Sequence, residues 1–230
     1  EPFQVTRKDG YLIGRGVLDD KGPSVVAMYA MHFFPKHGIE LPYTIRMIMG
    51  GNEESGMRDV AYYREHVADP AFVFTPDADF PVCYGEKGGF DGRFESMPMG
   101  GDAMIVDFGG GNATNAVPSE AYAIVKADPS KLAGTDRITV SDANGNARLD
   151  AQGIGGHASK PEGTINAIGL IVDYLLEHDL CSEDERAFLQ LQHDLLSASD
   201  GSGVGVKTSD EHFGPLTLIG GTVEKDGDRI

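Results

Sequence analysis

Residues 43–77 read YTIRMIMGGNEESGMRDVAYYREHVADPAFVFTPD. Tyr43–Met49 is an apolar run rich in β-prone residues, and it predicts a strand. Gly50 and Gly51 break it. Met57–His66 then has helical spacing, with Val60, Tyr63 and Val67 on one side. Ala71–Thr75 reads as a short buried strand. Upstream, a Lys8-Asp9-Gly10 turn leads into a strand at Tyr11–Ile13, so the chain opens on a hairpin. A helical run follows from Pro23 to about His37, with Val25, Met28, Ala30 and Phe33 among its apolar positions. Proline is tolerated there because the first helical N–H groups have no intrahelical partner. Strand and helix alternate, which implies parallel pairing and an α/β fold with a mostly parallel sheet.

The second part of the chain reads as α+β. Strands are expected at Phe90–Glu95, Ala103–Phe108 and Ala121–Lys126. A hairpin is expected around Asn144-Gly145, a pair suited to a tight turn with positive φ. Helices are expected at Thr164–Glu177 and Glu183–Ser197, the first with Ile165, Ile168, Ile171 and Leu175 at helical spacing. Ser199–Gly214 reads as a polar loop, and Leu216–Ile219 as a further strand. Charge also divides the chain: residues 1–88 carry a net −4 and residues 89–230 a net −13. The Gly88-Gly89 pair at that change suggests a domain boundary between 1–88 and 89–230.

With 230 residues, one or two domains are expected. Hydrophobic residues make up 40%, enough for a core, yet no segment approaches the ~18 apolar residues of a membrane span. A net charge of −17 would repel a polyanion, which argues against nucleic acid as a partner. Cys83 and Cys181 lack metal-type spacing and form no disulfide framework, so a reducing cytoplasm is expected. Glu1–Gly10 reads as polar and turn-like rather than as a targeting helix. The turn at Asp226-Gly227 is followed by only the start of a strand, so the chain reads as an internal piece of a longer protein.

Three acidic clusters follow predicted strands: Asp19-Asp20 in GRGVLDDKGP, Glu53-Glu54 in GGNEESG, and Asp77 and Asp79 in TPDADFP. In open α/β sheets, function collects beyond the carboxyl ends of strands. Carboxylates delivered to one rim repel one another, and a cation would hold them together. Each cluster also has an ordinary reading, as a helix cap, a solvated loop or a turn, and spacing leaves both open. Glu53 and Glu54 could serve one site only from an irregular loop, which Gly50, Gly51 and Gly56 permit. The Gly109-Gly110-Gly111 run lacks the lysine of a phosphate-binding loop. Arg15, Lys21 and Lys87 are expected to satisfy local carboxylates.

The blocks GRGVLDDKGP, NEESGMRDVAYY, TPDADFPVCYGEKGG, NAVPSEA and GGHASKPEGTINA occur in the order and approximate spacing of the co-catalytic zinc peptidases. That family holds aminoacylases, carboxypeptidases and carnosinase-type dipeptidases. PDADFP with GEKGG most resembles its peptidase V branch of Xaa-His dipeptidases. The resemblance implies a partial catalytic domain at 1–88, an α+β lid domain at 89–230, and two zinc ions, with manganese or cobalt as alternatives. Asp19 is similar to the carboxylate that bridges the metals, Glu54 and Asp77 to ligands of one metal each, and Glu53 to the general base. The Asp19-Asp20 peptide is similar to one that is cis in the family. His157 is similar to a lid histidine that donates to the tetrahedral oxyanion, and Asn115 to a lid residue that binds the substrate backbone.

The implied activity is hydrolysis of dipeptides or short peptides. An N-acyl-amino-acid amidohydrolase or a carboxypeptidase of the same family is the alternative. A non-catalytic lid or dimerisation module is the alternative from another class, and a homodimer through the lid domain is the implied protein partner. The family's site also uses a histidine in a His-x-Asp motif before the first block, a second histidine near the C-terminus and a substrate-binding arginine. None has a counterpart here. The expectation is therefore weak or absent zinc binding, and no hydrolysis, by this chain alone.

Overall fold

The computed structural model describes residues 3–53, 56–78 and 81–230. The chain divides into two compact units, residues 1–86 and 87–230. In the first, β1 (Thr6–Lys8) and β2 (Tyr11–Ile13) form the expected hairpin, with Lys8 opposite Tyr11. Asp9 and Gly10 take φ of 52° and 84°, the left-handed pair that a two-residue hairpin loop requires. Helices α1 (Lys21–Lys36) and α2 (Arg58–His66) stand where the spacing places them. Gly22 is needed at the start of α1, because a Cβ there would lie 2.2 Å from the carbonyl oxygen of Val17.

The mixed α/β character holds, but the expected parallel ladder does not appear among the described residues. Segments 43–49 and 71–75 carry no strand pairing, and every pairing described in the chain is antiparallel. Apolar, β-branched composition marks a segment that suits burial, whereas a ladder also needs a partner backbone on its edge. Here those side chains face solvent, with Phe72 79% and Val73 69% exposed. No described residue of the first unit is buried.

The second unit is built on a five-stranded antiparallel sheet. Its strands are β3 (Ile105–Gly110), β5 (Glu120–Val125), β6 (Ile138–Ala143), β7 (Asn146–Gln152) and β11 (Val223–Glu224), in the order β11-β3-β5-β7-β6. Two short pairs flank it: β4 (Ala116–Val117) with β8 (Gly156–His157), and β9 (Ser209–Asp210) with β10 (Gly214–Pro215). Inward residues alternate along the strands, as a half-buried sheet demands. Ala121, Ala123 and Val125 of β5 and Ala147, Leu149 and Ala151 of β7 are buried. Helix α3 (Ala167–Glu177) packs across them with Ile168, Ile171, Val172 and Leu175, and α4 (Glu183–Leu196) packs on α3.

Local chemistry sets several boundaries. The Asn144-Gly145 turn joins β6 to β7 with φ of 57° and 84°, and Asp142 Oδ1 accepts from the Gly145 N–H at 2.8 Å. Helix α3 starts at Ala167 rather than Thr164 because Asn166 caps it, its Oδ1 accepting from the N–H groups of Ile168 and Gly169. Two expected strands are absent. Residues 90–95 pair with nothing as a ladder, and the chain is instead fixed just beyond, by Ser96 N–H to Ile230 O at 2.9 Å. Residues 216–219 are irregular, and the edge strand beside β3 is β11.

Glu185 is wholly buried. Its carboxylate completes a capping box with Ser182 and accepts from the backbone N–H groups of Ser182 (2.7 Å), Met104 (2.9 Å) and Ile105 (2.8 Å). Glu185→Ala would leave three buried donors without a partner, at a cost of about 3 kcal/mol or more. Hydrogen exchange at the β5 and β7 amides should accelerate accordingly, whereas exposed Glu183→Ala should change it little. Equal effects from the two substitutions would refute this.

Candidate functional site

The first unit carries the acidic candidates. Asp19 is exposed in the turn that leads into α1, and the Asp19-Asp20 peptide is cis. Asp20 is half-buried. Its Oδ2 accepts from the Ser24 hydroxyl at 3.2 Å, while Oδ1 is shielded and has no hydrogen-bond partner. Asp77 is exposed, between Pro76 and Ala78, outside any helix or strand. Glu53 is exposed in the loop before α2. Glu54 and Asp79 lie outside the described residues.

Asp59, in the first turn of α2, organises the Glu53 loop. Its Oδ2 accepts from the N–H groups of Gly51 (2.7 Å) and Asn52 (3.1 Å), and its Oδ1 from that of Val60 (2.9 Å). Asn52 closes the loop from the other side: its carbonyl accepts from Met57 N–H and its Oδ1 from Arg58 N–H. Gly50 has a specific role, since a Cβ there would lie 2.7 Å from Asp59 Oδ2. These donors, with Gly51 N–H foremost, hold the Asp59 carboxyl below the usual carboxylate range.

The carboxylates suit a divalent cation, and Asp20 Oδ1 is an acceptor without a donor. Yet no group of three or more His, Cys, Asp or Glu among the described residues is arranged to hold a metal. Of the expected ligands Asp19, Glu54 and Asp77, the structure describes Asp19 and Asp77, both exposed. Lys21 and Lys87 also differ from expectation, donating to the backbone carbonyls of Arg15 and Pro215 rather than to carboxylates.

The second unit brings its two candidates together. In the β4·β8 ladder Ala116 pairs with His157, and Ala158 N–H donates to Asn115 O at 2.9 Å. Asn115 immediately precedes β4 and His157 ends β8, so the backbones of these two residues, distant in sequence, are neighbours, with Ala116 opposite His157 and Ala158 bonded to Asn115. His157 is exposed. Its Nδ1 lies 2.7 Å from Ser159 Oγ and accepts from Ser159 N–H at 3.2 Å. Gly155 and Gly156 precede it because there is little room: a Cβ on Gly156 would lie 2.6 Å from Thr164 Cγ2. The Gly109–Gly111 run is closely packed. A Cβ on Gly111 would meet the Gly221 carbonyl at 1.9 Å.

An open depression of about 510 Å³ lies on the outer face of the sheet, lined by Tyr122, Arg137, Arg148 and Asp150 among others. Arg148 pairs with Asp150 at 2.8 Å and covers the Tyr122 ring at 4.4 Å, and Tyr122 OH donates to Asp107 at 2.9 Å. The bond to Asp107 raises the phenol above its ordinary range. No carboxylate, histidine or asparagine candidate lines this depression, and two of its charged groups, Arg148 and Asp150, pair with each other.

Asp59 and Ser159 were not singled out by sequence reasoning. The signals available were an acidic residue in the first turn of a helix that follows a glycine-rich loop, and a hydroxyl two residues after the candidate histidine.

Residues 1–207 match the family model described as Peptidase family M20/M25/M40. The chain is 32% identical to "Putative dipeptidase YtjP" of Bacillus subtilis (strain 168), over 99% of this chain and 52% of that protein. It is 29% identical to a Beta-Ala-Xaa dipeptidase of Lactobacillus delbrueckii subsp. lactis, over 80% of this chain and 42% of that protein. The chain spans about half the length of the curated relatives it matches. No helix among the described residues is long and apolar enough to cross a membrane.

The Asp59 clamp has a direct test. A carboxyl held below its ordinary range stays ionised, and keeps its acceptors, at any pH above that range. The contribution disappears only as pH falls through the lowered value. Amide exchange at Gly51 and Asn52 should therefore be slow at neutral and mildly acidic pH, and faster in Asp59→Ala across that range. Unchanged exchange in the variant would show that the loop is held by other means.

Proposed function

The chain belongs to peptidase family M20/M25/M40, and from that premise we propose that the whole protein is a metal-dependent dipeptidase that hydrolyses short peptides. The structural observation that carries the reading is the β4·β8 ladder, which sets His157 beside Asn115 on a glycine-flanked, exposed segment. The Beta-Ala-Xaa dipeptidase relative supports the dipeptide as substrate. The two free cysteines fit a cytoplasmic location.

In this proposal residues 1–86 contribute to the catalytic domain and residues 87–230 form the lid domain. Asp19, Glu54 and Asp77 would be this chain's carboxylate ligands for two zinc ions. When bound, such ions lower the pKa of water and polarise a carbonyl. Glu53 takes a proton from the attacking water and passes it to the leaving amine. His157 donates to the oxyanion that develops on the carbonyl oxygen as water adds to its carbon, and Asn115 binds the substrate backbone. A glutamate on a loop pinned from below by Asp59 is well suited to proton transfer, because its backbone is fixed while its side chain remains accessible.

The test is dipeptide hydrolysis by the full-length protein. Glu53→Gln should lower kcat by about 10²–10⁴-fold, and His157→Ala by about 10²–10³-fold, each with a smaller change in KM. Full activity in Glu53→Gln would remove the general-base assignment.

A further inference from the structure

We infer that Ser159 is a positioning residue, which fixes the tautomer and orientation of His157 so that Nε2 carries the proton and faces outward as a donor. The inference about the ring stands on geometry alone; its relevance to catalysis rests on the reading of His157 given above.

The geometry leaves one consistent arrangement of protons. The backbone N–H of Ser159 can only donate, and it points at His157 Nδ1 at 3.2 Å. Nδ1 must therefore present its lone pair, so the proton of the neutral ring sits on Nε2. The Ser159 hydroxyl lies 2.7 Å from the same nitrogen. With Nδ1 already an acceptor, that hydroxyl also donates. The backbone N–H and the hydroxyl of one residue then share the single in-plane lone pair of Nδ1 as a three-centre bond, which favours one orientation of the ring. The turn that brings them there is closed by Lys160 N–H to His157 O at 3.0 Å. The other side of the loop is tied down by Ala158 N–H to Asn115 O and by the Ala116–His157 pair. The ring is thus held from its Nδ1 edge, on a backbone anchored on both flanks. Nε2 makes no hydrogen bond among the described residues.

This arrangement matters for an oxyanion donor. A neutral imidazole offers one N–H, and the opposite tautomer would turn a lone pair toward the developing negative charge. Fixing the tautomer in advance removes that unproductive state, a form of preorganisation.

Nitrogen-15 long-range spectra of the 230-residue chain at about pH 8, above the ordinary imidazole range, test the ring directly. The His157 signals are identified by their loss in His157→Gln. The expected pattern is a protonated Nε2 and an unprotonated Nδ1. A protonated Nδ1 would overturn the inference. Ser159→Ala keeps the backbone donor and removes the hydroxyl, so Nδ1 should move part of the way toward the value of a ring averaging between tautomers, and Ser159→Thr, which keeps the hydroxyl, should restore the original pattern. If Ser159→Ala leaves the pattern intact, the side chain has no part in it. In the full-length protein, Ser159→Ala should lower kcat about tenfold with KM within about twofold, and should add nothing in a His157→Gln background. A loss of activity in His157→Gln without one in Ser159→Ala would overturn the positioning role. No loss in His157→Gln would instead overturn the catalytic reading of His157 and leave the spectra to judge the tautomer.

Discussion

The Glu185 carboxylate joins two parts of the second unit that are far apart in sequence. It caps α4 and at the same time receives the N–H groups of Ile105, the first residue of β3, and of Met104 just before it. A buried carboxylate is expensive unless its lone pairs are filled, and three backbone donors fill them here. The result is that the helix layer and the sheet share a fixed origin. From it β3 runs between β5 and β11, and the chain emerging from β3 leads through the close Gly111–Gly221 approach to Asn115. On the far side Asn166 does similar work, capping α3 while its Nδ2 donates to Gly220 O at 2.8 Å.

What the sequence made legible followed from how local each signal was. Asn144-Gly145 and Asp9-Gly10 specify their turns through the φ values of two residues, and both hairpins are found. Helices α3 and α4 have apolar spacing that a single element expresses by itself. Segments 43–49, 71–75, 90–95 and 216–219 have strand composition but no ladder, because pairing depends on a distant backbone that composition does not name. The true edge strand, Val223–Glu224, is too short and too polar to announce itself.

The candidate site shows the same division. His157 and Asn115 were legible as residues in distinctive blocks, yet their adjacency comes from the antiparallel register of β4 and β8, which no local pattern encodes. Asp59 and Ser159 act on the backbone or ring of a neighbour, and in sequence they look like an ordinary first-turn acid and a loop hydroxyl. The acidic clusters belong to a unit in which no described residue is buried. Their carboxylates are individually recognisable, but among the described residues they are not gathered into a ligand set.

The short β4·β8 ladder also constrains how this chain can change length. Its register is fixed beside it, by Gly153 N–H to Ser119 O at 2.8 Å and by the reciprocal Ile154–Ile165 bridge. The long β5·β7 ladder, ending at the Glu120–Gln152 pair, carries that register inward. An added or deleted residue between 117 and 125, or between 147 and 156, would turn every later side chain to the opposite face and move His157 off Ala116. The connection from 126 to 137 and the Asn144-Gly145 tip lie outside both ladders. Relatives that keep the His157 segment in place are free to vary in length at those two points, and held to constant length along the strands between them.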